Sequence, residues 1–258
     1  VRIEDIDPDR EPKGAAQSIL QTLIDYGFEW DKKPIFQSRQ YNLHKHIALQ
    51  FLERNLAYPC SCSRKDLVAN SKPGPMGAIY PGTCSAKSNY KETHTLRIRT
   101  NNATVNFIDK HYGLQTCHLG QESGDYVILR ADKLPSYILA VSVDDVFEGY
   151  SEIVRGADLL AITPRQVHLT QLLQKTPSDF FHIPIITDQS GNKLSKQTHA
   201  PALHKHNARS NLYFALKDLG QNPPRYLIWR PLRSIWEWAL SHWDTKHIPR
   251  QKNIEFNH

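Results

Sequence analysis

VRIEDIDPDREPKGAAQSILQTLIDYGF, residues 1–28, opens with Val1 and Ile3 alternating against Arg2 and Glu4, and Ile6 then breaks the alternation. A strand running into a loop is expected there. After Pro12 and Gly14, residues 15–28 place Ile19, Leu20, Leu23 and Ile24 at helical spacing on one face, and Gly27 stops the helix. Strand, loop and helix in that order, with more strands separated by helices in the first half, predict an α/β core. Five carboxylates, Glu4, Asp5, Asp7, Asp9 and Glu11, crowd this opening although the chain's formal net charge is +6, so a positive partner for them is expected nearby.

A second helix fits residues 39–58, where Leu43, Ile47, Phe51 and Leu52 recur at helical spacing, and its end leads to the first cysteines. From 63 to about 92 the composition turns to Ser, Lys, Pro and Gly, an irregular stretch that needs something to fix it. Strand-like runs follow at 94–100, 105–113, 126–131 and 137–146, the last two joined by residues 132–136. These middle strands predict an inserted or appended antiparallel piece. Thr163 and Pro164 read as N-cap and first residue of a helix over 164–174. A strand at 182–187 then runs into the turn 188–193, and Trp229, Trp236, Trp238 and Trp243 among Leu and Ile predict a small helical region at the end.

The chain has 258 residues, enough for one large domain with a small appendage. Its mean hydropathy is −0.54 and no run approaches the roughly 18 apolar residues of a membrane helix. No charged-then-apolar leader opens it, so membrane and secreted classes are not expected, and a cytoplasmic protein is. Lys and Arg exceed Asp and Glu by 32 to 26, which favours an anionic partner such as nucleic acid, and the consistently positive part runs from Lys193 to Lys252.

Four cysteines are too few for a disulfide framework, and Cys60, Cys62 and Cys84 lie close together. Zinc takes four N, S or O donors in a tetrahedron. C-x-C at the end of one segment plus Cys84 across a Pro/Gly-rich loop offers three, in a structural rather than a catalytic site. Asp66 and His94 are ordinary choices for the fourth, whereas Tyr80 is unusual because its phenol must be acidified by the metal. Three unligated thiols in a reducing compartment are the alternative. Cys117 reads as a small buried residue.

GNKLSKQ, residues 191–197, puts Lys193 and Lys196 around a serine after a turn that Gly191 allows. Turn amides and two ammonium groups suit an anion, including the charge on a leaving pyrophosphate. A solvated surface loop is the alternative. Between residues 136 and 160, Tyr137, Asp144, Asp145, Glu152, Arg155 and Asp158 sit among apolar residues. Arg155 there can grip a carboxylate in two-pronged fashion with a tyrosine hydroxyl adding a contact, or it can pair internally with Asp158 or Glu152.

Taken together, VRIEDIDPDRE (1–11), CSC (60–62) followed by YPGTC (80–84), SEIVRGADLL (151–160), TPRQVHL (163–169) and GNKLSKQTHAPAL (191–203) resemble the class I glutamyl-tRNA synthetases, whose related strand reads RIED and whose lysine loop is the KMSKS motif. The pattern is nearer to a short paralogous branch that glutamylates queuosine in the anticodon of tRNA(Asp). The resemblance covers about residues 1–220.

It implies a Rossmann-type catalytic domain over 1–220 with a zinc-binding insertion at about 58–92, and a short helical region over 221–258. It implies ATP-dependent activation of L-glutamate, with magnesium accompanying ATP, followed by transfer to queuosine in tRNA(Asp). Glu4 would meet the α-amino group, and Tyr137 and Arg155 would contact the glutamate. Lys196, with Lys193, would stabilise ATP phosphates in the loop Lys193, Leu194, Ser195, Lys196 and Gln197. Cys60, Cys62, Tyr80 and Cys84 would bind one structural zinc. The family also carries, upstream of its RIED strand, a substrate-contacting arginine and the HIGH-type motif that cradles ATP; neither occurs in these residues, so a first strand and helix are expected to precede Val1. About forty residues remain after 220, against roughly 100 to 200 in another typical domain, which favours the short branch. Two rivals stay open: charging of tRNA(Glu) at its acceptor end, and a non-catalytic zinc-containing tRNA-binding protein.

Overall fold

The structure, a computed structural model, describes residues 1–87, 91–194 and 201–256. Strand β1 (Arg2–Ile3) is followed by helix α1 (Ala15–Asp25), the order that the opening residues predict, and β1 pairs in parallel with β2 (Ile35–Phe36), with α1 crossing between them. Tyr26 closes the helix and Gly27, at φ +77°, turns the chain away. The expected apolar face is only partly used. Leu20 and Leu23 are half-buried, but Ile19 and Ile24 remain 52% and 54% exposed. At 100° per residue these four side chains span a wider arc than the surface available to cover them.

Helix α2 (Tyr41–Glu53) sends Ile47 and Phe51 into the main core, with Leu43 and Leu52 at its margin. Strand β3 (Ala57–Cys60) then carries the chain to the cysteines. The stretch expected to be irregular holds a short helix α3 (Arg64–Asn70) and the hairpin of β4 (Lys72–Gly74) and β5 (Gly77–Ile79). Ser63 and Asp66 form a reciprocal cap at the start of α3, which satisfies free amides that composition alone does not reveal.

Strands β6 (Thr95–Ile98), β7 (Thr104–Asp109) and β8 (Gly113–His118) follow, then the short α4 (Leu119–Glu122) and β9 (Tyr126–Leu129). Of the runs expected to form an antiparallel piece, 94–100 and 126–131 supply β6 and β9 of the antiparallel sheet β3-β6-β9, whereas 105–113 supplies β7 of a different sheet. Residues 137–146 are not a strand. They lie in helix α5 (Tyr137–Glu148), capped by Ser136, whose hydroxyl accepts from Leu139 N, and ended by Gly149 at φ +75°. Every residue from Ile138 to Asp145 is buried, so this helix shows no polar stripe, and a continuous run rich in Val and Ile reads equally well as a strand.

Strand β10 (Glu152–Gly156), helix α6 (Thr163–Leu172) and strand β11 (Asp179–Ile183) complete a four-stranded sheet in the order β10-β11-β7-β8, parallel except for β8. Thr163 is the first helical residue rather than the cap, because its hydroxyl donates to the Leu159 carbonyl inside the preceding turn. The single strand expected at 182–187 is split between β11 and β12 (Ile185–Thr187) at Pro184. Helices α7 (Ala208–Asp218) and α8 (Leu232–His242) share a cluster of Leu212, Leu216, Leu227, Ile235 and Ala239, and β13 (Asn253–Glu255) returns to pair in parallel with β12. The main core joins α2 and α5 to the β3-β6-β9 sheet through Phe51, Ile98, Ile128 and Leu139, each contributing about 1.5–3 kcal/mol by burial. Cys117 is buried beside Val105 and Phe180.

Candidate functional site

The ends of β1, β7, β10 and β11 and the first turns of α5 and α6 converge on Arg155. At the base, Asp109 accepts from the backbone amides of His111 and Tyr112 at 3.0 and 2.8 Å through Oδ1, and its Oδ2 lies 2.6 Å from His182 Nδ1. Arg155 Nε donates to His182 Nε2 at 3.0 Å. A guanidinium can only donate, so Nε2 is the accepting nitrogen and the ring proton sits on Nδ1, donating to Asp109. Burial pushes His182 down from its ordinary value, although Asp109 opposes the shift.

Arg155 also donates through Nη1 to Gln166 Oε1 at 2.9 Å and through Nη2 to Thr163 Oγ1 at 2.8 Å. Gln166 passes the connection on, its Nε2 donating to Asp145 Oδ2 at 2.5 Å, while Arg2 Nη1 donates to Asp145 Oδ1 at 2.6 Å and Arg2 Nη2 to Glu4 Oε1 at 3.3 Å. Burial raises the Asp145 carboxyl, against the pull of Arg2 and Gln166.

Tyr137 faces the same space. Burial raises its phenol, the Glu4 charge raises it further, and Arg155 and Arg2 oppose. Burial lowers the Arg155 guanidinium, while Tyr137, Asp145 and Glu4 counter the shift. The structure therefore brings Glu4, Tyr137 and Arg155 into one neighbourhood.

Neither internal partner considered for Arg155 pairs with it: Asp158 accepts from Lys193 at 2.6 Å and Glu152 pairs with Lys110 at 3.2 Å. Among the described residues no carboxylate lies within ion-pair distance of Arg155. Beyond Tyr137, a cleft of about 300 Å³ is lined by Arg97, Ser123, Asp125, Ser136 and Arg165.

Of the lysine loop, Lys193 and Leu194 are described, whereas Ser195, Lys196 and Gln197 lie outside the described residues. Asp188 accepts from the amides of Ser190 and Asn192 at 2.9 and 2.8 Å, Gly191 sits at φ +79°, and Leu194 N donates to Ile186 O, which pins the turn to β12.

At the cysteine cluster, the sulfurs of Cys60, Cys62 and Cys84 all lie within 4.8 Å of one another. The Tyr80 oxygen is 3.4 and 3.5 Å from Cys60 and Cys62 Sγ and accepts from Cys84 N at 2.9 Å. Four donors thus converge, and the 3.5 Å between Cys62 and Cys84 is near the edge of about 3.8 Å that sulfur bonds of about 2.3 Å give a tetrahedron. Asp66 is turned into its cap with Ser63, and half-buried His94 contacts the Lys91 carbonyl, so neither approaches the thiols as Tyr80 does. Burial acts upward on the Cys60 thiol, but hydrogen bonds from Tyr80, the Cys62 backbone and Arg97 bring it down to about 7. The Arg97 guanidinium lies 3.9 Å over the Tyr80 ring.

Arg2, Asp109, Thr163, Gln166 and His182 join the network around Arg155 without having been singled out as site residues. In the sequence each looks like an ordinary polar residue at an element end. Asp144, named with Arg155 from the sequence, does not join this network: buried inside α5, it accepts from Gln37 at 2.8 Å and meets His44 at 2.7 Å, fastening α5 to the segment at α2.

Comparison with known proteins places this geometry. A family model of the class I tRNA synthetases (E and Q), catalytic domain, matches residues 1–216. The glutamyl-Q tRNA(Asp) synthetase of Pseudomonas fluorescens is 40% identical over 254 residues, 98% of this chain and 83% of that protein. That of Pseudomonas aeruginosa is 42% identical over 250 residues, 97% of this chain and 83% of that protein. Among solved structures, a glutamate-tRNA synthetase from Elizabethkingia anophelis superposes with a TM-score of 0.77 at 17% identity, covering 99% of this chain; the chain spans 60% of that one, and the likeness is one of fold.

Proposed function

This chain belongs to the class I tRNA synthetases of the E and Q type, and we propose that it activates glutamate with ATP and transfers the glutamyl group to queuosine in the anticodon of tRNA(Asp). One observation carries the reading: Arg155 is a half-buried guanidinium with neutral acceptors on three of its N–H groups and, among the described residues, no carboxylate within ion-pair distance. A partly desolvated cation left in that state favours an anionic ligand. Glutamate supplies a carboxylate for Arg155 and Tyr137 and an ammonium for Glu4.

In the first step a carboxylate oxygen of glutamate attacks the α-phosphorus of ATP and pyrophosphate leaves. A nucleophile on queuosine then attacks the glutamyl carbonyl and AMP leaves. Lys193 and Lys196, in the loop with Leu194, Ser195 and Gln197, neutralise the phosphates, and magnesium accompanies ATP. The reaction is a cytoplasmic one. The catalytic domain occupies 1–220, with an insertion at about 58–92 and a short helical region over 221–258.

The donor set fits zinc. Cys60, Cys62 and Cys84 would hold it as thiolates with Tyr80 as the oxygen donor, and such a closed site fixes the insertion without taking part in the chemistry. Burial and the thiols raise the Tyr80 phenol, so its ligation would draw on the metal's charge.

Pyrophosphate exchange into ATP that depends on glutamate, lost in Lys196→Ala and Arg155→Ala, is the expected result. With labelled glutamate and tRNA(Asp), the label should appear on the nuclease fragment carrying the anticodon and only when queuosine is present. Exchange indifferent to glutamate would refute activation, and label at the 3′ end would point to ordinary charging instead.

A further inference from the structure

Residues 201–258 contain nine Lys and Arg against four Asp and Glu, so the C-terminal stretch holds five of the chain's six net positive charges. Within it, Arg225–Trp229 is a 3-10 helix. With three residues per turn, Tyr226 and Trp229 stand one above the other, while Leu227 points inward to the α7–α8 cluster. The two rings are 57% and 82% exposed. The Arg230 guanidinium lies 5.9 Å from the centre of the Tyr226 ring, and Arg225 and Arg233, before and after it in the chain, are exposed. The one acidic neighbour on this part of the chain, Glu237, is paired with Arg233 at 2.9 Å.

The surface is also fixed relative to the site described above. Trp236 Nε1 donates to the Tyr26 carbonyl at 2.8 Å and its ring meets Phe28 edge-on at 5.0 Å, which ties α8 to the end of α1. Strand β13 pairs with β12, immediately before the lysine turn.

We propose that Tyr226, Trp229, Arg225, Arg230 and Arg233 form a docking surface for the RNA substrate, in which unpaired bases stack on the two rings and the guanidiniums meet the flanking phosphates. Stacking on an aromatic face tolerates any base, and arginine serves both a phosphate and a π-face. The inference rests on the reading that the substrate is RNA, and it adds where unpaired nucleotides are held.

The test measures binding of the full chain, without ATP or glutamate, to a labelled RNA stem–loop with an open loop and to a blunt RNA duplex of equal length. Failure of glutamyl transfer therefore leaves this measurement standing. Tyr226→Ala and Trp229→Ala should each weaken stem–loop binding by about fivefold to a hundredfold and duplex binding by less than about twofold. Trp229→Phe, which keeps a π-face, should retain most of the affinity. Arg225→Ala and Arg230→Ala should weaken both RNAs, each reducing the slope of log affinity against log salt by about 0.7. The proposal is overturned if the ring variants bind the stem–loop as the parent does, if they lose stem–loop and duplex equally, or if the rings instead govern binding to anionic phospholipid vesicles.

Discussion

Arg155 carries five N–H donors, and three are held by His182, Gln166 and Thr163, so two remain to face Tyr137 and Glu4. Lysine cannot reproduce that planar fork. Arg155→Lys is expected to raise the KM for glutamate in pyrophosphate exchange by about tenfold or more. Asp109→Asn should act through the same route: losing the negative acceptor loosens the His182 tautomer that receives Arg155, and because Asp109 is what holds the His182 value up, its loss leaves the ring neutral and glutamate affinity should fall alike at pH 6 and pH 8. A second buried histidine gives a stability readout. His168 lies 2.9 Å from the Tyr126 hydroxyl, and burial lowers it from 6.5 to about 4. Its folded value is below its unfolded one, so its contribution is complete above 6.5 and is lost as pH falls toward 4. Urea unfolding should show a loss on the order of 3 kcal/mol across that window, reduced in His168→Gln.

Among the elements, the segment from β3 to β5 has a cluster of only Tyr58, Cys60, Tyr80 and Cys84 with Cys62 and Leu67 beside it. So small a core needs a cross-link. Purified protein should contain about one equivalent of zinc, Cys84→Ser less than half, and chelator should lower the melting temperature of the parent but not of the variant. Gly124 positions Tyr80 in this unit: it bridges Tyr80, adopts φ +61°, and an added Cβ would lie 2.5 Å from the Tyr80 carbonyl oxygen. Gly124→Ala should therefore cost about 2 kcal/mol and weaken zinc retention, as read by melting and by competition with a chromophoric chelator. Helix α5 teaches the opposite lesson about legibility. Residues 137–146 read as a strand in the sequence because burial on all sides removed the periodicity that separates a helix from a strand, and the helix caps, Ser136 and Gly149, are established by the structure.

For the molecule as a whole, α8 is joined to α1 through Trp236 and to the rest through β13. Trp236→Ala should cost about 3 kcal/mol and open a separate early unfolding phase of the C-terminal helices, detectable as proteolysis between α7 and α8 before loss of the core. The sequence by itself determined the α/β class, the first strand and helix, the presence of a second helix and the order of motifs, because period, caps and spacing are local properties of the chain; that helix, expected over 39–58, ends at Glu53 and yields to strand Ala57–Cys60. It also marked Glu4, Tyr137, Arg155 and the three clustered cysteines as residues to watch. Only the tertiary structure decided that among the described residues no carboxylate pairs with Arg155, that Asp158 goes to Lys193, and that His182, itself held by Asp109, receives the guanidinium. Residues 109, 155 and 182 meet because parallel strands β7, β11 and β10 lie side by side, and which strands become neighbours is a long-range outcome of packing that no local pattern encodes.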